Sequence, residues 1–402
     1  MPKNLITVLY VHSSDEMYGA DLILLQLVEG LDKNHFRPIV VIPTDVNYRR
    51  LLSKALQEQK IEVIYLKTAI LRRKYFTPWG FLVYFIRLIQ STIALIRIIH
   101  QESVDIIHSN TAAVIPGALA ARLMGKRHVW HIHEIITKPR LLSKSISWLL
   151  PRLSDVIVAV SGATRDHLCM GDSKNENKVV VIYNGLDLRR FESSGGMGKQ
   201  ICQEWGIDTR NALIGMVGRI SYWKGQDYFL QVAKQVIETH PQSRFALVGG
   251  TFHGNEKLKD ELLDRVKELG LEAVTVISNF RSDIPAILNA FDVFVLPSTQ
   301  PDPFPTVVLE AMAAARPVVA NAHGGCIEMI LDHQTGYLVP PNQPSLMASR
   351  IGYLIDHPGE RRKMGLCGRE RLLERFTLNT FLQKWTEIYQ QLCGQTNPLE
   401  AM

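Results

Sequence analysis

Two carboxylates bracket a proline-rich loop and the start of an apolar run in PSTQPDPFPTVVLEAMAAARPVVA, Pro297 to Ala320. Pro301, Pro303 and Pro305 each fix φ and push the residue before them toward extended backbone, so Asp302 is expected in a stiff loop. Pro305 suits a first helical position, and the run from Thr306 to Ala315 predicts a helix of about three turns that Pro317 stops. Such a start offers the N–H groups of Thr306, Val307 and Val308 to an anion, with the positive end of the helix dipole behind them. Glu310 lies roughly 6 Å further along the axis. An anion cradle flanked by Asp302 and Glu310 suits a ligand that carries hydroxyls as well as phosphates. The plainer alternative is an ordinary helix with Glu310 on its wet face.

The elements that must position these groups follow from apolar, β-branched runs. LITVLYV, FRPIVVIP, IEVIYL, VDIIHS, HVWHIHE, VIVAVS and KVVVIYN occupy the first half, and LIGMVGR, RFALVGG, VTVISNF, VFVLPS, PVVANA and GYLVP the second. Short strands separated by helical lengths predict an α/β protein with parallel sheets covered on both faces. A chain of 402 residues fits two such domains. The Gly/Ser cluster FESSGGMGKQ marks a linker at 188–200, between domains at 1–187 and 201–375. A last helix at 376–393 is expected to cross back onto the first domain.

MPKNLITVLYVHSSD lacks a long apolar core and a cleavage site, so it reads as a first strand and not a signal peptide. Cys169, Cys202, Cys326, Cys367 and Cys393 are scattered without metal-site spacing, which argues against a disulfide framework or a zinc site and for a cytoplasmic setting. The net charge of +6 is uneven: residues 1–187 carry 23 basic and 16 acidic side chains, and 67–152 carry 13 and 3. An anionic partner is expected on that half. The basic residues lack an aromatic-interleaved RNA motif or a DNA-reading helix, which argues against nucleic acid. Trp79 to Ile99 is apolar apart from a stripe of Arg87, Gln90, Ser91 and Arg97, so it is expected to cover a sheet or to lie at an anionic membrane surface beside Arg72, Arg73 and Lys74. With two arginines inside it, it is not expected to span a bilayer.

In order, YGADLILLQL, HVWHIHE, VAVS, VIYNGLD, VGRISYWKG, LVGG, SDIP, DPFPTVVLEAMAAARPVVA, GGCIE and TGYLVP resemble the retaining GT-B glycosyltransferases of family 4, across nearly the whole chain. The resemblance implies two Rossmann-like, doubly wound domains facing a central cleft. It implies transfer of a sugar from a nucleotide diphosphate donor, expected to be UDP-linked, to a hydroxyl of a lipid-linked or cell-envelope glycan. No cofactor or metal is expected: there is no Asp-x-Asp motif, and a G-x-x-x-x-G-K-[ST] loop is absent too. The implied setting is cytoplasmic, peripheral at the inner face of the membrane.

Residue by residue, Gly218, Arg219 and Lys224 in VGRISYWKG match the diphosphate-binding segment, where cations would meet charge on the leaving phosphate. Gly19 matches the first-strand loop that approaches the phosphates. Glu310 matches the acid that binds ribose hydroxyls, and Asp302 the acid near the donated sugar. The family more often has Glu at the first position and Gly where Pro303 and Pro305 stand, so Phe304, Thr306 and Val307 take the remaining donor contacts. His133 matches the position that touches the donor sugar or reaction centre, Glu134 is assigned to the acceptor hydroxyl, and Arg281 to stacking on the base. His131 is placed on the opposite face of its strand from His133, as a buried structural side chain. Rival readings are a transferase for a small soluble acceptor and a non-catalytic module that binds a sugar nucleotide without turnover. The second would be expected to lose some of Asp302, Glu310, Arg219 and Lys224, and all four are present.

Overall fold

The computed structural model describes residues 5–46, 48–137, 139–169, 173–192, 196–251 and 255–394. The chain divides into two compact units, one made of residues up to Gly185 together with Leu378 onward, the other of Leu186–Thr377. Residues 193–195 of the expected linker lie outside the described residues, and Met197–Glu204 is helical.

In the first unit β1 (Ile6–Val11), β2 (Phe36–Pro43), β3 (Glu62–Leu66), β4 (Ile106–Asn110), β5 (Arg127–Ile132), β6 (Val156–Ala159) and β7 (Val179–Val181) form a sheet ordered β3-β2-β1-β4-β5-β6-β7. All pairs are parallel, with Leu9 of β1 between Ile39 of β2 and Ile107 of β4. Such a sheet needs helices on both faces, which is why its strands read as unbroken apolar runs. Helices Gly19–Gly30, Leu51–Glu58 and Leu378–Cys393 cover one face and bury Leu24, Leu56 and Trp385 against Val8, Val40 and Ile106. Helices Pro78–Gln101, Ile115–Met124 and Arg140–Leu153 cover the other.

The last helix is a full partner in this core. Trp385 has no exposed surface, and its ring centroid lies 4.8 Å from those of both His108 and His131. Tyr389 joins it, its hydroxyl 3.0 Å from that of Tyr10 and 2.8 Å from His108 Nδ1. Trp385→Ala is therefore expected to destabilise the protein by about 3–5 kcal/mol, read as a lower urea midpoint at unchanged slope. A loss below about 1 kcal/mol would mean that the helix contributes little to this core.

Helix Pro78–Gln101 is capped by Thr77, whose Oγ1 accepts from Gly80 N–H at 3.0 Å. Its apolar residues lie on both sides, some buried in the unit and others exposed. The polar stripe divides: Ser91 is buried and accepts from Ala69 N–H at 2.8 Å, and Arg87 donates to Tyr75 Oη at 2.5 Å, while Gln90 and Arg97 are exposed. Trp79, Phe81, Phe85, Ile86, Ile89 and Ile93 are exposed. By length and composition the helix could cross a membrane, yet Leu95 and Ile99 are buried in the unit's core.

In the second unit β8 (Leu213–Val217), β9 (Arg244–Val248), β10 (Thr275–Ser278), β11 (Val293–Leu296), β12 (Val318–Asn321) and β13 (Gly336–Val339) form a parallel sheet ordered β10-β9-β8-β11-β12-β13. Each of the thirteen apolar runs read from the sequence supplies one strand of the two sheets. Helix Thr306–Ala313 is shorter than expected: Pro305 is its N-cap with ψ 108°, and Ala315 turns left-handed at φ +52°. Arg316 precedes Pro317 and is barred from helical backbone, so the helix has to end earlier.

Candidate functional site

In an open parallel sheet, ligands bind beyond the C-terminal strand ends, where the strand order reverses. In the second unit that point lies between β8 and β11. Gly218, Arg219 and Lys224 leave β8, and Asp302 follows β11. The structure brings the two segments together: the Lys224 ammonium is ion-paired with the Asp302 carboxylate, with 15% and 9% of their side chains exposed. Trp223 lies beside both cations, its ring 4.5 Å from Lys224 Nζ and 6.0 Å from Arg219 Cζ. Gln226 Nε2 donates to Arg219 O at 2.8 Å. An ammonium has three N–H groups, so this pairing leaves two for another acceptor.

Two glycines hold the pair in place. Gly225 has φ +83°, and a Cβ there would sit 2.1 Å from Pro297 O, so the turn after Lys224 closes directly on the end of β11. Gly324 has φ +59°, and a Cβ there would sit 2.2 Å from Asp302 O, while Gly325 N–H donates to the same oxygen at 2.8 Å. Any larger residue at either glycine would push the ion pair apart.

The helix start is a smaller cradle than expected. Val308 N–H donates to Pro305 O at 3.0 Å, which leaves Thr306 and Val307 N–H without a hydrogen bond among the described residues. Glu310 is half-buried on the next turn, not on a wet face, and burial pushes its carboxyl up to about 7 against the opposing pull of Arg190. Phe304 is 4% exposed with its ring 5.6 Å from that of Phe376, so its side chain belongs to the packing. Gly218 has room for a Cβ, 4.0 Å from Lys224 Cδ. Arg281, expected to stack on a base, donates to Asp283 at 2.8 and 2.6 Å and to Glu204, so its hydrogen-bonding edges are engaged within the unit. A hollow of about 940 Å³ lined by Asp227, Glu261, Asp264 and Glu268 beside Arg265 takes in none of Arg219, Lys224, Asp302, Thr306 and Glu310. Its carboxylates would repel a diphosphate.

In the first unit the order reverses between β1 and β4. Gly19 opens the helix Gly19–Gly30, and a Cβ there would meet nothing within 4 Å, so the fold itself makes no demand for glycine. His12 follows β1, Asn110 ends β4 and His133 follows β5. His12 Nε2 lies 2.7 Å from Asp21 Oδ1, Asn110 Nδ2 lies 2.9 Å from His12 Nδ1, and His133 Nε2 lies 3.0 Å from Asn110 Oδ1. Burial pushes the His133 imidazole down to about 3. Glu134 accepts from the N–H groups of Ala112 and His133, each at 3.2 Å, and burial pushes it up to about 7. Between Asn110 and Ala112, Thr111 takes φ +95°, a strained backbone for a β-branched residue that is held by Thr111 N–H to His131 O at 2.8 Å.

His131 is not on the opposite face from His133. Residues two apart share a face of a strand, and the two rings lie 3.9 Å apart. His131 is fully buried beside Trp385, as expected of a structural side chain. Sequence reasoning missed His12 and Asn110. The signal was a polar residue at the end of an apolar strand, as in the HSN that closes β4. Among the described residues no group of three or more His, Cys, Asp or Glu side chains is arranged to hold a metal.

Comparison with known proteins bears on both units. Residues 17–190 match the family described as Glycosyltransferase Family 4, and residues 199–371 match Glycosyl transferases group 1. The alpha-maltose-1-phosphate synthase of Mycolicibacterium smegmatis is 28% identical over 73% of this chain and 80% of its own. An Escherichia coli enzyme named UDP-Gal:alpha-D-GlcNAc-diphosphoundecaprenol alpha-1,3-galactosyltransferase is 27% identical over 75% of this chain and 79% of its own. Among solved structures, HepE of Anabaena, crystallised with UDP-glucose, superposes with a TM-score of 0.82 over 96% of this chain and 100% of its own, at 24% identity.

Proposed function

The chain belongs to the family 4 glycosyltransferases, retaining enzymes of GT-B fold that draw on a nucleotide-sugar donor, and from that membership we propose that its donor is UDP-linked and its acceptor a hydroxyl of a lipid-linked or cell-envelope glycan. The observation that carries the donor reading is the meeting of Lys224, Asp302 and the Thr306 helix start at the strand-order reversal of the second unit. Breaking the sugar–phosphate bond leaves negative charge on the outer phosphate. Arg219, Lys224 and the N–H groups of Thr306 and Val307 are the donors that would meet it. Glu310 would accept from the ribose hydroxyls and Asp302 from hydroxyls of the donated sugar. His133 would contact that sugar and Glu134 the acceptor hydroxyl.

The choice of UDP is supported by the E. coli relative, named for UDP-Gal, and by HepE, solved with UDP-glucose. The same E. coli name supports a lipid-linked acceptor. The test is a screen of UDP-, GDP- and ADP-sugars that reads released nucleotide. Release from UDP-sugars, persisting in EDTA, is the expected result, and turnover of only GDP- or ADP-sugars would overturn the choice of base.

A lipid-linked acceptor fits a peripheral setting at an anionic membrane surface on the cytoplasmic side. The three helices on one face of the first sheet, Pro78–Gln101, Ile115–Met124 and Arg140–Leu153, carry no Asp or Glu, and among them Trp79, Phe81, Phe85, Leu123, Leu141 and Trp148 are exposed. An apolar face with basic flanks complements an anionic bilayer. Arg72 does not belong to that surface: it is bound to the fully buried Asp45 carboxylate at 2.6 Å. Arg73→Ser with Lys74→Ser is therefore expected to weaken cosedimentation with phosphatidylglycerol vesicles by about 1 kcal/mol per charge at low salt. Unchanged binding would remove the surface from the proposal and leave the transferase reading intact.

A further inference from the structure

The contacts among Asp21, His12, Asn110 and His133 have a fixed polarity. A carboxylate only accepts, so His12 Nε2 carries the proton it gives to Asp21 Oδ1 at 2.7 Å. Asn110 Nδ2 can only donate, so His12 Nδ1, 2.9 Å from it, is the bare nitrogen that accepts. That orients the Asn110 amide with Oδ1 toward His133, which must donate from Nε2–H at 3.0 Å. His133 Nδ1, which has no hydrogen-bond partner among the described residues, is left with a lone pair. The far end is anchored as well, because Asp21 Oδ2 accepts from Tyr18 N–H at 2.9 Å at the start of its helix.

We propose that Asp21, His12 and Asn110 are positioning residues that hold His133 in its Nε2–H tautomer, so that Nδ1 is presented to the donor sugar as a hydrogen-bond acceptor. The relay runs along the C-terminal ends of the adjacent strands β1, β4 and β5. His12, Asp21 and Asn110 are nearly or fully buried, so solvent does not compete for their hydrogen bonds. Other ionisable groups beside His133 are His131, with its ring 3.9 Å away, Glu134, which accepts from the His133 backbone N–H, and buried His108, which interacts with it electrostatically. None of these groups hydrogen-bonds a His133 ring nitrogen, whose one partner among the described residues is Asn110 Oδ1 at Nε2. The consequence for the reaction rests on the reading that His133 meets the donor sugar; the tautomer itself does not.

The polarity makes an isosteric test available. In Asp21→Asn the side-chain oxygen must stay on Tyr18 N–H, which turns the new amide N–H toward His12 Nε2. His12 then accepts at Nε2 and is protonated at Nδ1. Asn110 must rotate to put Oδ1 on His12, and its Nδ2 then faces His133. His133 Nε2 becomes the acceptor and its proton moves to Nδ1, so an acceptor toward the sugar becomes a donor. Moving the carboxylate to the centre undoes this. In Asp21→Asn with Asn110→Asp, Asp21→Asn donates to His12 Nε2, His12 donates from Nδ1, and the carboxylate at 110 accepts from both His12 and His133 Nε2–H.

Long-range ¹H–¹⁵N correlation spectra of histidine-labelled full-length protein, with His133 assigned by His133→Gln, report which ring nitrogen is protonated. The expected pattern is Nε2–H in the wild type, Nδ1–H in Asp21→Asn, and Nε2–H again in the exchanged pair. In parallel, kcat/KM is expected to fall on the order of 10- to 100-fold in Asp21→Asn, with at least half of the loss on a logarithmic scale recovered in the pair. An Nδ1–H or doubly protonated His133 in the wild type overturns the relay, and so does an Nδ1–H His133 in the exchanged pair, which can be read even if Asp21→Asn alone does not fold. The expected spectra with full activity in His133→Gln would instead leave the relay standing and remove the role of His133 at the sugar.

Discussion

Arg219→Ala and Lys224→Ala are each expected to lower kcat on the order of 100-fold or more, with a smaller change in KM. Charge builds on the outer phosphate only as the sugar bond breaks, so the lost cation is missed most in the transition state. The two variants are expected to differ in stability. Lys224 pairs with Asp302, whose side chain is 9% exposed, and removing one partner of a buried pair costs about 3–5 kcal/mol because it strands the other charge. Lys224→Ala should therefore melt well below Arg219→Ala. Adding Asp302→Asn to Lys224→Ala removes the stranded charge and should raise the melting temperature without restoring kcat. If it restores both, Lys224 serves the fold and not the leaving group.

The second large effect is a pH dependence of donor binding set by Glu310. Its carboxyl is pushed up to about 7 by burial, so near neutrality it is part proton-bound, and only the carboxylate can accept from two ribose hydroxyls. Donor affinity is expected to fall about tenfold per pH unit below 7, levelling off once a bond of about 1.5–3 kcal/mol is gone. The diphosphate of a nucleotide sugar takes up no proton in this range, so the trend reports on the protein. Stability runs the other way. A carboxyl raised above its ordinary value favours the folded state when protonated, a contribution fully present below about 4.5 and lost as pH rises through about 7. Glu310→Gln should accordingly bind donor weakly at every pH and melt higher than wild type at pH 8, with the difference vanishing toward pH 4. Calorimetric titration of a UDP-sugar between pH 5.5 and 8.5 checks the first part; a pH-independent wild type would show that Glu310 does not hold the nucleotide.

The strands were legible because parallel sheets buried on both faces demand apolar runs, and β-branched runs such as IVVI and VIVA announce them without any periodicity. The Asp302 loop and the helix start were legible because proline restricts its own backbone and that of its neighbour. The pairing of Lys224 with Asp302 was not: the two are 78 residues apart, and only the adjacency of β8 and β11 brings their loops together. Periodicity showed a polar stripe on the helix Pro78–Gln101 but not which of its residues turn inward, because Ser91 and Arg87 satisfy partners, Ala69 N–H and Tyr75 Oη, that the sequence does not place. The His12 relay was hidden for the same reason, since Asn110 and His12 are 98 residues apart.

The most direct test of the donor site is amide hydrogen exchange of the full chain with and without UDP. Thr306 and Val307 N–H make no hydrogen bond among the described residues, so they should exchange fast in the nucleotide's absence. Saturating UDP is expected to slow exchange at these two amides and across the loop from Gly218 to Gly225, because the phosphates supply the missing acceptor. Saturable UDP binding that leaves both segments unprotected would contradict the site and move the diphosphate elsewhere on the protein.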